Sequence, residues 1–210
     1  LDCSETNVKE LPKEYIHLEV LFCCNTDIEI IPKEYVTLFE LKCSNTNLKS
    51  LPEEISMIYW LDCSVTGITS IQKEYTGLIY LKCSDTKITK LPKNLFGLET
   101  LICNDNQIKS IPEQYINLVS LKCSNTDIDF LSNRYTKLIT LDCSFTRINE
   151  LSSSYTRLVN LSCSDTDITF LPKEYSNLQF LNCSDTKISD IPREYLLLKK
   201  LDCGNTNVCV

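Results

Sequence analysis

The sequence predicts a solenoid, a single file of short units that each lend one strand to a parallel sheet. Three observations carry this. Leucine opens a unit at Leu1, Leu21, Leu41 and every twentieth residue up to Leu201. Eleven of the thirteen cysteines fall at 3, 23, 43 and on in steps of twenty to 203, leaving only Cys24 and Cys209 outside the series. Proline occupies the twelfth position of seven units: Pro12, Pro32, Pro52, Pro92, Pro112, Pro172 and Pro192. A fixed period of this size is the signature of repeat architectures.

Each part of the unit follows from its residues. The consensus is L-x-C-S-x-T-x-I-x-x-L-P-x-E-Y-x-x-L-x-x, with no insertion and no Gly/Ser/Pro-rich linker. Apolar residues at the first and third positions alternate with polar ones, the period of a strand with one buried face. The later apolar set, Leu11, Tyr15 and Leu18 in the first unit, is spaced by three or four. That spacing, with a proline whose φ suits a first helical residue, predicts a short helical or 3₁₀ turn on the convex side. Stacked strands about 4.8 Å apart give an array roughly 50 Å long.

Residues 1–210 therefore read as one domain of ten full units and a half unit. Solenoids need polar caps, and this chain opens on a strand and stops at Asn207-Val208-Cys209-Val210. Leu1, Cys3, Leu201 and Val210 would then face water, which predicts a fragment of a longer protein or end-to-end self-association.

Bulk properties exclude several classes. No stretch approaches the roughly 18 apolar residues of a membrane span, so no membrane is expected as a partner. The opening Leu1-Asp2-Cys3-Ser4 has neither the basic start nor the apolar run of a secretory leader. A net charge of −7 argues against nucleic acid, whose binders need a basic patch.

Cysteine at one fixed place per unit predicts a ladder of reduced, buried thiols, since a disulfide framework pairs different structural positions. A reducing, cytoplasmic compartment follows. Zinc needs ligands that converge tetrahedrally, a straight ladder does not converge, and no C-x-x-C occurs. No metal or cofactor is expected. Cys24 and Cys209, outside the ladder, are expected to be exposed.

The stretch Leu18-x-x-Leu21-x-Cys23-x-x-Thr26-x-Ile28 resembles the leucine-rich-repeat signature L-x-x-L-x-L-x-x-N-x-L, with cysteine for the third leucine and threonine for asparagine. The sixth unit keeps the family's asparagine, in Leu98-x-x-Leu101-x-Cys103-x-x-Asn106-x-Ile108. The resemblance covers the whole chain. It implies a leucine-rich-repeat solenoid of the α/β horseshoe class, with the sheet on the concave face. It also implies that the threonine column takes the place of the family's asparagine ladder, satisfying backbone groups where the chain leaves the strand. The Cys-Ser-x-Thr and Pro-Lys-Glu-Tyr wording is similar to arrays encoded by giant DNA viruses of amoebae, which implies residence in an infected host cell.

No constellation for catalysis is present. His17 sits in the convex segment with no cysteine or serine poised beside it by motif, and reads as a surface residue. Lys13-Glu14 and Lys33-Glu34 recur with the period and belong to the solvated outer face. G-x-S-x-G, H-E-x-x-H and phosphate-cradling glycine loops are missing. Two N-x-S/T sequons, at Asn160 and Asn182, lie at strand positions, where chance explains them.

Function in a solenoid resides in its variable columns. Alternation turns positions twenty, two, four and five outward on the concave face. There Trp60 and Tyr80 should stand side by side, ringed by Asp62, Lys82, Ile102 and Val65. Exposed aromatics ringed by charge are common interface anchors; the plainer reading is cross-strand packing that stabilises the sheet. These columns hold ten acids and four lysines, close to the whole chain's excess, which would steer a basic protein partner. Half of that acidity sits at position five, where Asp and Asn commonly bond a turning backbone. The expectation is a non-catalytic scaffold for protein–protein interaction. The alternatives are the substrate-recognition half of a larger enzyme or ligase, and a structural spacer.

Overall fold

A computed structural model describes residues 1–208. Ten three-residue strands form one parallel sheet in chain order: β1 (Val20–Phe22), β2 (Glu40–Lys42), β3 (Trp60–Asp62), β4 (Tyr80–Lys82), β5 (Thr100–Ile102), β6 (Ser120–Lys122), β7 (Thr140–Asp142), β8 (Asn160–Ser162), β9 (Phe180–Asn182) and β10 (Lys200–Asp202). Every residue pairs with the one twenty positions on, so Leu21 lies against Leu41 and Leu41 against Leu61. A bridge between Asp2 and Phe22 carries the pairing into the first unit. Columns in the sequence are thus stripes on the molecule.

Leucine at the first position and cysteine at the third both point inward. Cys23 to Cys183 are fully buried along the ladder, and all twelve described cysteines are free thiols. Burial pushes the thiols of Cys23 and Cys103 up to about 12, so they remain protonated. Cys24 is half-buried, and Cys209 lies outside the described residues.

The sixth position closes the strand exit. Thr26, Thr46 and Thr126 each donate Oγ1–H to the carbonyl of the cysteine three residues back, at 2.8, 2.8 and 2.7 Å. Asn106 does more. Its Nδ2 donates to the carbonyls of Cys103, at 3.0 Å, and of Cys83 in the preceding unit, at 2.8 Å, while its Oδ1 accepts from the Thr86 N–H at 3.1 Å. The amide ties two units together, whereas the threonine Oγ1–H closes its own.

The convex segment differs from the expectation. Among the described residues it holds no α- or 3₁₀-helix, only two linked turns per unit. In the second unit the Tyr35 N–H donates to the Pro32 carbonyl at 3.2 Å, and the Leu38 N–H to the Tyr35 carbonyl at 3.0 Å. The carbonyl at position twelve accepts the N–H of its own turn and, where the next unit has a tyrosine, that phenol as well. Tyr35 Oη donates to Pro12 O at 2.7 Å, Tyr75 to Pro52 at 2.7 Å and Tyr115 to Pro92 at 2.6 Å. A buried phenol needs such a partner, and the tyrosine at the junction of the two turns points inward to find it.

Candidate functional site

Strand alternation brings positions twenty and two onto the open face. Trp60 on β3 lies in register with Tyr80 on β4, and their rings stack at 3.8 Å between centroids with planes 2° apart. One step along, Asp62 faces Lys82, with Oδ2 and Nζ 3.2 Å apart, and Ile102 follows on β5. The five side chains form one block. An ion pair this open is worth no more than about 1 kcal/mol and serves chiefly to fix orientation. Partial burial, with the Asp62 charge nearby, raises the Tyr80 phenol above its usual range.

Val65 is not in that block. It lies on the rim beyond the strand exit, in a groove shared with Asn45 and Asp85. Its backbone is the unusual feature. Position five adopts the left-handed conformation in every unit, with φ between 52° and 59°. Asn and Asp tolerate it, which accounts for their dominance in this column. Val65 sits there at φ 56° with a branched β-carbon and is 47 % exposed, so neither backbone preference nor core packing explains it.

Three features of the face were not read from the sequence. Position four is not uniformly open: Ser64, Ser144 and Ser164 are buried, while Ser44, Ser84 and Ser124 are half-buried. The hydroxyls of Ser64 and Ser84, beside the aromatic block, are buried without a hydrogen-bond partner, whereas Ser144 Oγ lies 2.8 Å from Ser162 Oγ. Second, the acids at position two also brace the backbone. Asp62 Oδ1 accepts the Ser64 N–H at 3.1 Å, and Asp142 Oδ1 the Ser144 N–H at 3.2 Å. Third, position nineteen, just before the strand, stands on an adjoining rim. There Phe39 stacks on Tyr59 at 5.3 Å, and Ile79 is exposed next in line. Thr100, Ser120, Thr140 and Asn160 continue column twenty with small polar side chains. Toward β9, a shallow depression of about 400 Å³ is lined by Thr140, Asn160 and Phe180.

No protein-family model and no curated protein sequence matches the chain. Solved structures do. An LRR protein of Leptospira interrogans superposes with a TM-score of 0.76 at 24% identity, over 96% of this chain and 65% of that one. The functional domain of InlJ from Listeria monocytogenes, described as including a cysteine ladder, gives 0.79 at 22%, over 98% and 53%. The internalin InlF of the same organism gives 0.81 at 20%, over 99% and 67%. The chain has the leucine-rich-repeat fold. This leucine-rich-repeat array spans about two thirds or less of the length of the first two of these proteins. The viral likeness finds no support among them. No group of three or more His, Cys, Asp or Glu is placed to hold a metal among the described residues. Nor does any helix there have the length and apolar character to cross a membrane.

Proposed function

We propose that this leucine-rich-repeat array is a non-catalytic scaffold that binds a protein partner on its concave sheet, with Trp60 and Tyr80 as anchor. The stacked, half-exposed aromatic pair beside the Asp62–Lys82 ion pair carries the reading. Two large side chains with few rotatable bonds, held flat against each other, offer contact area at little further cost in conformational entropy. The exposed Val65 in a strained conformation supports it, because unforced strain concentrates at functional positions. A similar structure points the same way: the plant peptide hormone receptor RGFR1 was solved in complex with RGF2. Acids outside backbone bracing and ion pairs, such as Asp85 on the rim, favour a partner with a basic surface.

Affinity capture tests this. The unaltered chain should retain a specific partner, and Trp60→Ala with Tyr80→Ala should lower its recovery tenfold or more while the melting temperature moves by only a few degrees. Unchanged recovery by the double variant would remove the aromatic pair as the anchor.

A further inference from the structure

A second surface has no part in the concave reading. Positions sixteen, seventeen and nineteen line the flank where the chain turns from the convex side into the sheet. In units two to six this flank carries Val36, Met57, Tyr59, Ile79, Phe96 and Ile116, each between 39 % and 64 % exposed. In units seven to nine, positions sixteen and seventeen are polar: Thr136 and Lys137, Thr156 and Arg157, Ser176 and Asn177. Ile16 extends the apolar run into unit one, and Leu196 and Leu197 form a separate exposed patch in unit ten, beyond the three polar units; a contiguous run of exposed apolar side chains marks a contact.

The flank is also notched. Gly77 and Gly97 occupy position seventeen in units four and five, and neither has a positive φ. A β-carbon on either would meet its nearest atom, the carbonyl oxygen of Ile58 or Leu78, at 3.6 Å, an ordinary contact. The fold therefore does not demand glycine at either place. What glycine provides there is a dip between the protruding side chains of Met57 and Phe96.

We infer that this flank joins two copies of the chain about a two-fold axis through Gly77 and Ile79. Such an axis, perpendicular to the solenoid, sets unit n against unit 8 − n and each position against itself, so every contact occurs twice. The pairs that result are complementary. Met57 meets the Gly97 notch, and Phe96 meets the small Ser56. Val36 and Phe39 meet Ile116 and Val119. The Tyr59 hydroxyl meets the Glu99 carboxylate, Lys137 meets His17, and Ile139 meets Glu19. Gly77 faces Gly77 on the axis, where the backbones approach most closely. Met57 and Phe96 oppose small residues, Val36 and Phe39 oppose apolar ones, and the Tyr59 donor opposes an acceptor, without any shift of register. Unit three against unit four, by contrast, would set Met57 on Gly77 but leave Phe96 facing Val36. The paired flank is about 30 Å long, which places the interface at the small end of specific contacts and the dissociation constant in the micromolar range.

Sedimentation equilibrium across the micromolar range tests the pairing. The unaltered chain should approach twice its 24.1 kDa mass. Gly77→Arg should return it to the mass of one chain with its circular dichroism intact, and Trp60→Ala with Tyr80→Ala should leave the pairing unchanged. Gly77→Cys should form a covalent dimer under mild oxidation, well above the background of the unaltered chain. A single-chain mass at the highest concentration, a dimer that survives Gly77→Arg, or no gain in cross-linking by Gly77→Cys would each overturn the inference. The last measurement decides the matter if the arginine variant fails to fold.

Discussion

Units seven to nine and units three to five are built from one consensus but spend it differently. In the later units Tyr135, Tyr155 and Tyr175 each reach back one unit. Tyr155 Oη donates to Ser132 O at 2.9 Å, and Tyr175 to Ser152 O at 2.7 Å. The serine hydroxyls of Ser144 and Ser162 pair with each other, and column twenty holds Thr140, Asn160 and Phe180. In the earlier units Ile55 and Leu95 replace two tyrosines, so the carbonyls of Pro32 and Gln72 receive only the N–H of their own turns. Val65 occupies a left-handed position, two serine hydroxyls are unpartnered, and both flank glycines are here. The same units carry Trp60, Tyr80, Met57 and Tyr59. Where the repeat gives up backbone bonds it gains exposed contact side chains. Phe145, at φ 55° and well exposed, breaks the pattern in the later units, and Phe130, Phe170 and Phe180 are exposed there too.

The largest expected effect is on what the two regions share. The thiols of Cys43 through Cys163 run through both, and burial raises every one of them. A folded-state value above the unfolded one means stability that is complete below the ordinary thiol range and lost as pH climbs from about 9 toward about 12. Each thiol that ionises on unfolding pulls the equilibrium the same way, and seven do so together. Thermal melts followed by circular dichroism should be flat from pH 7 to about 8.5 and fall steeply above it, in one transition. A melting temperature unchanged at pH 11 would show the ladder is not held in this way. Two separate transitions would show that the regions do not fold as one.

The columns were legible because the period fixes register: Trp60 beside Tyr80 and Asp62 beside Lys82 follow from counting twenty. Asn106 marked the strand exit for the same reason. What the period does not fix is the direction of a side chain outside the strand, because alternation holds for only three residues per unit. That is how Ser64, read as open surface, proves buried, and how Phe39, Tyr59 and Ile79 on the rim escaped notice. The helical reading of the return segment failed because apolar residues spaced by three or four fit two separate turns as well as a helix. Spacing alone cannot reveal that a tyrosine in an apolar column is also a donor. The left-handed backbone at position five did have a signal, in eight Asn or Asp among eleven residues.

The tyrosine bond offers the sharper contrast between the regions. Tyr155→Phe should cost about 0.5–1.5 kcal/mol, since it removes one of the two hydrogen bonds the Ser132 carbonyl accepts and leaves the Tyr135 N–H. Leu95→Tyr should move the other way by up to about 1 kcal/mol, because it supplies the Gln72 carbonyl with the phenol that other units have. Urea unfolding measures both. If the phenylalanine variant is as stable as the parent, the ladder of phenols contributes packing alone, and the earlier units have given up nothing by lacking two of its members.

The smallest expected change separates strain kept for contact from strain kept for nothing. Val65→Asn and Phe145→Asn each place the column's usual residue in the left-handed conformation, and each should stabilise the chain by about 1 kcal/mol. On stability alone the two are equivalent. They part in binding: Val65 stands on the rim next to the aromatic block, and Phe145 stands four units along. Partner recovery should fall with Val65→Asn and hold with Phe145→Asn. Equal recovery by both variants would mean that the strain at Val65 is unrelated to recognition. A fall with Phe145→Asn alone would move the contact to the later units, whose regular hydrogen bonding would then be no sign of an idle surface.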